Sequence, residues 1–143
     1  MSQEMKQSYG LSNNLFVSRK ASGDSIVLGG IAEDTTRWTR VLSQRAAQML
    51  WLHLAKLLYP DKADMITALI ATAPLRDSTR PTITTHMTVD HNAHGGYEIA
   101  GYIDGQAWQM YVDEPEATQL WSALDIALYP TGWQGRDIKA IPH

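Results

Sequence analysis

The sequence has 143 residues, 44% of them hydrophobic and 19% charged, which is the composition of a globular protein and excludes a disordered one. It contains no cysteine, so disulfides, thiolate catalysis and sulfur-ligated metals are excluded. The net charge of −3 disfavours strong non-specific binding to nucleic acid, although it is divided into +3 on residues 1–60 and −6 on residues 61–143. The longest apolar run, 49–59, is shorter than the ~20 residues of a membrane span, and the polar N-terminus does not resemble a secretory signal. We therefore expect one soluble, cytoplasmic domain over residues 1–143, without membrane insertion.

Three strands and a helix are predicted over about residues 14–60. The strands are expected at about 14–20, 25–32 and 36–42. Apolar residues alternate in the last two of these strands, and Arg40 is the one charged residue on an otherwise apolar inward face. The helix is expected at 43–59, with Ser43 as its N-cap and a stripe of leucines at every fourth position. It ends before Pro60, because proline disfavours helix at the preceding residue.

The rest of the chain is expected to contain a short extra helix at 61–73, a linker at 74–82, a second set of strands with a helix at about 83–130, and a tail at 131–143. The second set of strands is expected at about 83–90, 96–103 and 106–112. Asp113 is placed to cap the second helix, and Glu116 resembles the partner residue of a capping box.

The chain is similar to itself. Residues 38–60 align with residues 108–130 without a gap, and eight of the 23 positions are identical, whereas composition alone would give roughly one or two matches. The identical pairs are Trp38/Trp108, Ala47/Ala117, Leu50/Leu120, Trp51/Trp121, Leu54/Leu124, Leu58/Leu128, Tyr59/Tyr129 and Pro60/Pro130. Upstream the offset changes from 70 to 71, and the extra residue falls in a turn. The pattern predicts a duplicated unit of sheet followed by helix.

The expected fold is therefore α+β, with a three- to four-stranded antiparallel sheet followed by a helix, twice, about a pseudo-twofold axis. We expect the two sheets to pack face to face, with both helices closing the core. This arrangement resembles the Whirly-like fold, shared by Whirly proteins, certain single-strand-binding transcription coactivators and small cyanobacterial proteins. The resemblance covers about residues 14–130 and rests on element order and duplication. The lysine-rich Lys-Gly-Lys-Ala-Ala-Leu motif of plant Whirly proteins is absent, and the corresponding region reads Ser18-Arg19-Lys20-Ala21.

A basic strand surface in the first copy is one candidate site. Its residues are Arg19, Lys20, Arg37 and Arg40. A basic surface interleaved with aromatic residues can hold the phosphates and stack the bases of single-stranded DNA or RNA. The alternative is a solvated sheet face with Trp38 in the core, which the repetition of this residue as Trp108 favours.

A group of potential metal ligands is a weaker candidate. Its members are His86, Asp90, His91 and His94. Zinc can be bound by imidazole and carboxylate groups, but its ligands must converge at about 2 Å from the ion. On a strand His86 and Asp90 point one way and His91 the other, and residues 92–96 are more simply a hairpin loop. No metal or other cofactor is therefore expected.

A protein interface is the remaining candidate. The helix at 43–59 is apolar around more than half of its circumference, whereas a helix on one sheet needs only one apolar stripe. Met49 and Leu52 are the surplus residues, which would be exposed unless the helix at 61–73 or another subunit covers them.

No catalytic motif is present, and the lone His53 on an apolar helix is interpreted as a packed residue rather than a base. We therefore expect a non-catalytic binding or regulatory protein, with single-stranded nucleic acid as one ligand class. The alternative is a protein–protein interaction or assembly factor that acts as a homodimer or in a larger complex. A metal-dependent activity is the least favoured hypothesis.

Overall fold

The structure is a computed structural model that describes residues 8–19, 25–62, 83–93, 95–103 and 105–128. In chain order the described elements are β1 (Ser8–Leu11), β2 (Asn13–Arg19), β3 (Ser25–Ile31), β4 (Arg37–Ser43), α1 (Gln44–Leu58), a 3₁₀ turn (Pro60–Lys62), β5 (His86–His91), β6 (Tyr97–Ile103), β7 (Gln106–Val112) and α2 (Glu114–Leu128). They form an α+β fold of two sheets and two long helices.

The strands divide into a four-stranded sheet, in the order β1-β7-β6-β5, and a three-stranded sheet, in the order β2-β3-β4. All six predicted strands are present, with ends within three residues of those expected. The prediction of purely antiparallel sheets is wrong for the four-stranded sheet, because the unpredicted strand β1 pairs with β7 in parallel. Strand β1 is only four residues long, too short for alternation to reveal it.

The two halves of the chain are joined by reciprocal backbone hydrogen bonds. The N–H of Ser12, just before β2, donates to the carbonyl of Tyr111 on β7 at 2.8 Å. The N–H of Thr84, just before β5, donates to the carbonyl of Val41 on β4 at 2.9 Å. Residues 83–85 therefore do not begin β5 as predicted, because Thr84 pairs with the edge of the other sheet.

Both helices begin at the predicted caps. The Ser43 side chain accepts a hydrogen bond from the Ala46 N–H at 3.0 Å, and Asp113 accepts one from the Glu116 N–H at 2.9 Å. The Glu116 carboxylate in turn accepts from the Asn14 N–H at 2.7 Å, so it ties the start of α2 to β2, a contact that a capping box does not provide.

Each long helix lies against the first long strand of the other half, α1 against β5 and α2 against β2, and the two helices contact one another. At their contact Trp51 and Trp121 stack with ring centroids 5.8 Å apart, and the Trp121 Nε1–H donates to the Trp51 carbonyl at 3.1 Å. Of the predicted helix at 61–73 only the turn ending at residue 62 is described, and the linker and the tail lie outside the described residues.

The inner faces of the two sheets meet at Trp38 and Trp108, which are buried with ring centroids 5.7 Å apart. Each indole lies opposite a glycine on the neighbouring strand, Gly30 for Trp38 and Gly101 for Trp108. A side chain at residue 101 would overlap the Trp108 ring, so this position accepts only glycine without rearrangement.

Candidate nucleic-acid interface

The structure separates the three described residues of the predicted basic cluster, Arg19, Arg37 and Arg40. Arg37 is exposed on the outer face of β4. Arg19 is exposed at the end of β2, where its Nη2 donates to the Leu128 carbonyl at 3.5 Å, at the C-terminal end of α2. A cation there interacts favourably with the negative end of the helix dipole. Lys20 lies outside the described residues.

Arg40 does not belong to any exposed basic surface, which corrects the prediction for this residue. It is 7% exposed on the inner face of β4, where its Nε donates to the Tyr9 hydroxyl at 2.8 Å. Its guanidinium lies 5.6 Å from the centroid of the Tyr9 ring and 5.3 Å from that of the Trp108 ring, within cation–π range. The Tyr9 ring also stacks on Trp38 at 4.4 Å. Arg40 therefore contributes to the core.

An exposed aromatic ring that the sequence analysis did not select lies on the outer face of the three-stranded sheet. Phe16 on β2 is 46% exposed and sits directly opposite Gly29 on β3. Its ring occupies the space that a side chain at residue 29 would fill. Two signals pointed to it: Phe16 is the single phenylalanine of the chain, and it alternates with the inward residues Leu15 and Val17.

On the outer face of the three-stranded sheet, residues that pair across the strands form rows. Phe16 lies in one row with Gly29 and Thr39, between two other rows. One neighbouring row holds Ile31 and Arg37. The other row consists of Ser18, Val27 and Val41. No carboxylate lies in these three rows of described residues, so the face is apolar with a net positive charge.

Among the described residues, the carboxylates nearest in sequence to this face are Glu33 and Asp34, in the turn between β3 and β4, and both accept hydrogen bonds from backbone N–H groups. Glu33 accepts a hydrogen bond from the Leu11 N–H at 3.0 Å. Asp34 accepts one from the Thr36 N–H at 3.1 Å. These contacts direct both carboxylates toward the turn and β1, away from the strand row of Phe16.

The outer face of the four-stranded sheet has the opposite charge. Asp90 on β5 lies directly across from Glu98 on β6, and Tyr102, 42% exposed, lies on the same face of β6. Together with neighbouring residues they line an open groove of about 390 Å³. Phosphates are therefore attracted to the outer face of the three-stranded sheet and repelled from that of the four-stranded sheet.

The predicted metal ligands are not gathered into one site. His86 and Asp90 lie on the outer face of β5, four residues and thus about 13 Å apart along the strand. The His91 ring lies 5.3 Å from the ring of Tyr97, and His94 is outside the described residues. Within the described ranges no three His, Asp or Glu side chains approach closely enough to bind one metal ion.

The predicted interface residues Met49 and Leu52 are half-buried and pack against the core, and their role in an interface stays a prediction. Among the described residues the exposed large apolar side chains are instead Leu11, Phe16, Tyr102 and Ile126. No described helix has both the length and the apolar character needed to cross a bilayer.

His53 on α1 is half-buried near β5. Burial lowers the pKa of His53, the neighbouring Lys56 lowers it further, and Asp90 on β5 acts in the opposite direction. His53 is therefore held largely in the neutral form at pH 7.

No protein-family model and no curated protein matches the sequence.

Proposed function

We propose that the protein is a non-catalytic binding protein that holds single-stranded nucleic acid on the outer face of the three-stranded sheet. The observation that carries the proposal is the exposed ring of Phe16 on the same sheet face as Arg37, where the described residues of the three central rows include no carboxylate. An open antiparallel sheet face with an aromatic ring is a surface on which unpaired bases stack.

Phe16 supplies the stacking platform. Its ring is fixed by the backbone of Gly29 beneath it, so a base can stack on it without the ring first being ordered. Stacking of one base on an aromatic side chain contributes about 1–3 kcal/mol, whatever the base. One platform therefore favours weak binding with little sequence preference.

Arg37 supplies the charge for a phosphate from β4, one row and two strands away from Phe16 on β2. With rows about 7 Å and strands about 4.8 Å apart, the two backbone positions are roughly 12 Å apart, so the stacked base and the phosphate that Arg37 binds belong to different nucleotides. The hydroxyls of Ser18 and Thr39, both exposed on the same face, provide hydrogen-bond donors for phosphate or sugar oxygens.

The test is a titration of labelled single-stranded DNA and RNA oligonucleotides at low and moderate salt. We expect Phe16→Ala to weaken binding about 5- to 150-fold, the equivalent of one lost stacking contact, and Phe16→Trp to restore it. The matched control is Tyr111→Ala, because Tyr111 lies on the outer face of the four-stranded sheet next to Glu98. The control should bind as the wild type does.

The salt dependence tests the phosphate contact. Arg37→Gln should reduce the slope of log K against log salt by about 0.7, the value for one phosphate of a single strand. Failure of the wild type to bind at 100 micromolar protein, or equal losses in Phe16→Ala and Tyr111→Ala, would contradict the proposal.

A protein ligand is the second candidate for the same face, because half-buried aliphatic residues surround Phe16. These residues are Val27, Ile31 and Val41. Apolar surface around an exposed aromatic residue is typical of protein interfaces. Light scattering decides whether this face associates with protein: a strict monomer that binds oligonucleotide favours nucleic acid, and a protein complex lost in Phe16→Ala favours the alternative.

We also propose that the two halves are Whirly-like copies related by a pseudo-twofold axis. Equivalent glycines face Trp38 and Trp108, equivalent N–H groups bond the last strand of the other half, and each helix packs on the other half's first long strand. An experimental structure in which residues 25–58 cannot be superposed on residues 96–128 would overturn this relationship.

A further inference from the structure

A groove of about 390 Å³ crosses the outer face of the four-stranded sheet and is open to solvent. Ala100 on β6 forms its floor, since the neighbouring outward residues on that strand are the larger Glu98 and Tyr102. Thr88 and Gln109, which pair with Ala100 from the adjacent strands, form its sides. The groove is therefore wide enough to receive one aromatic side chain.

Two carboxylates stand at one end of this groove. Asp90 and Glu98 are directly opposite each other on β5 and β6, and like charges in that position repel. A cation placed between them relieves the repulsion. The groove thus combines an apolar floor, an aromatic wall and a site of negative charge.

The outer face of the three-stranded sheet has the complementary features. The Phe16 ring lies over Gly29 on β3, and Arg37 on β4 is one strand and one row from Gly29. In the groove, Asp90 on β5 is likewise one strand and one row from Ala100 on β6. Because rows are about 7 Å and strands about 4.8 Å apart in both sheets, the two diagonal separations match at roughly 8 Å.

We propose that copies of this chain associate head to tail, with the three-stranded face of one copy on the four-stranded face of the next. Phe16 enters the groove of the second copy over Ala100, and Arg37 reaches Asp90 and Glu98 of that copy. The two surfaces differ, so the contact is heterologous and every assembly retains one free surface of each kind, one at each end. A second copy and a nucleic acid then compete for Phe16, but the association itself does not depend on the proposed nucleic-acid binding.

The contact is small. Three strands of seven residues present a face of roughly 14 by 23 Å, or about 330 Å² on each partner. The total is well below the ~1,200 Å² of a standard stable interface, so association should be weak and rapidly reversible. Self-association is expected at protein concentrations of roughly hundreds of micromolar. Because the contact includes a charge pair, it should be weaker at high salt.

Sedimentation velocity between about 10 micromolar and 1 millimolar protein tests the proposal. The wild type should show a sedimentation coefficient that rises continuously with concentration, without a limiting dimer. Arg37→Glu and Asp90→Lys should each associate at least tenfold more weakly. Ile126→Ser, which alters an exposed residue of α2 away from both faces, should associate as the wild type does.

Mixing the two charge variants gives the decisive result. The Arg37→Glu protein keeps an intact groove, and the Asp90→Lys protein keeps an intact Phe16 face. Their mixture should therefore associate more strongly than either variant alone, because the substituted face and the substituted groove also carry opposite charges. Glu98→Lys serves as a second groove variant should Asp90→Lys lose its native circular dichroism.

Three results would overturn the proposal: a wild type that is monomeric at 1 millimolar, a groove variant that associates like the wild type, or a mixture of the charge variants that stays monomeric. Different results refute the proposed self-association and the proposed nucleic-acid binding. Asp90→Lys should lose association and still bind oligonucleotide, whereas loss of oligonucleotide binding in a wild type that associates rejects only the nucleic-acid proposal.

Discussion

Substituting alanine for Gly101 and, separately, for Gly30 tests the packing of the two buried tryptophans. Both glycines lie opposite a tryptophan and neither has a positive φ, so alanine is allowed by the backbone at both. A methyl group at residue 101 would overlap the buried Trp108 ring. A methyl group at residue 30 would meet the end of the flexible, half-buried Leu15 side chain and would lie 3.1 Å from the backbone oxygen of Asn13, which would have to move by only a few tenths of an ångström.

The expected magnitudes differ accordingly. Overpacking a rigid indole costs about 1–3 kcal/mol. Displacing the indole also weakens the bond from Trp108 Nε1 to the Thr84 hydroxyl, 3.0 Å long and buried, which adds about 1 kcal/mol. Replacing glycine by alanine also stabilises the folded state by about 0.4–1 kcal/mol, because alanine restricts the unfolded chain. Gly101→Ala should therefore destabilise the protein by about 2–3 kcal/mol, and Gly30→Ala by no more than about 1 kcal/mol.

Urea denaturation followed by far-ultraviolet circular dichroism measures both values, and thermal unfolding gives an independent check. For a chain of this size a loss of 2–3 kcal/mol lowers the Tm by about 6–12 °C. Equal losses in the two variants, or a larger loss in Gly30→Ala, would show that the glycine at residue 101 is not required by the tryptophan opposite it.

Three further substitutions follow from single contacts. Thr84→Val should destabilise the protein by about 1–3 kcal/mol, because it leaves the buried Nε1–H of Trp108 without its acceptor. Thr84→Ser keeps the hydroxyl and should keep most of the stability. Chemical denaturation measures the free energy of unfolding of both variants. Ser43→Ala removes the N-cap of α1 and should cost about 1 kcal/mol in the same assay. Burial lowers the pKa of His53 below its ordinary value of 6.5. Below pH 6.5 the folded state therefore binds fewer protons than the unfolded state. The stability that is present above pH 6.5 is lost as the pH falls through the folded-state pKa. His53→Gln should therefore flatten the decline in urea midpoint between pH 7.5 and pH 5, and the exposed control His86→Gln should not.

The strand and helix positions could be predicted because their signals are local. Alternation placed β3 and β4, and the serine at residue 43 marked the start of α1 by a hydrogen bond that spans three residues. Strand β1 and the bridge at Thr84 could not be found in the same way. Each pairs with a strand from the other half of the chain, and no local periodicity encodes such a partner.

The candidate site was predicted only in part for the same reason. Sequence reasoning grouped basic residues that lie near each other along the strands, but alternation then sends them to different faces. Arg37 points outward and Arg40 inward, while Arg19 turns to the end of α2, a contact between residues 109 positions apart. Phe16 was overlooked because its importance depends on Gly29 lying opposite, which requires the register of two strands.

Arg40 and Met110 occupy aligned positions of the similar segments 38–60 and 108–130, and both side chains are buried. The inner face of β4 therefore holds a guanidinium where the inner face of β7 holds a thioether. A charge at 7% exposure needs compensation, and Tyr9 of β1 supplies a hydroxyl acceptor and a ring face. Tyr9 also stacks on Trp38, whose Nε1 has no hydrogen-bond acceptor among the described residues, whereas the Nε1 of Trp108 bonds to a threonine. Strand β1 therefore does more than extend a sheet, because its Tyr9 side chain is one of the groups that compensate the buried charge of Arg40.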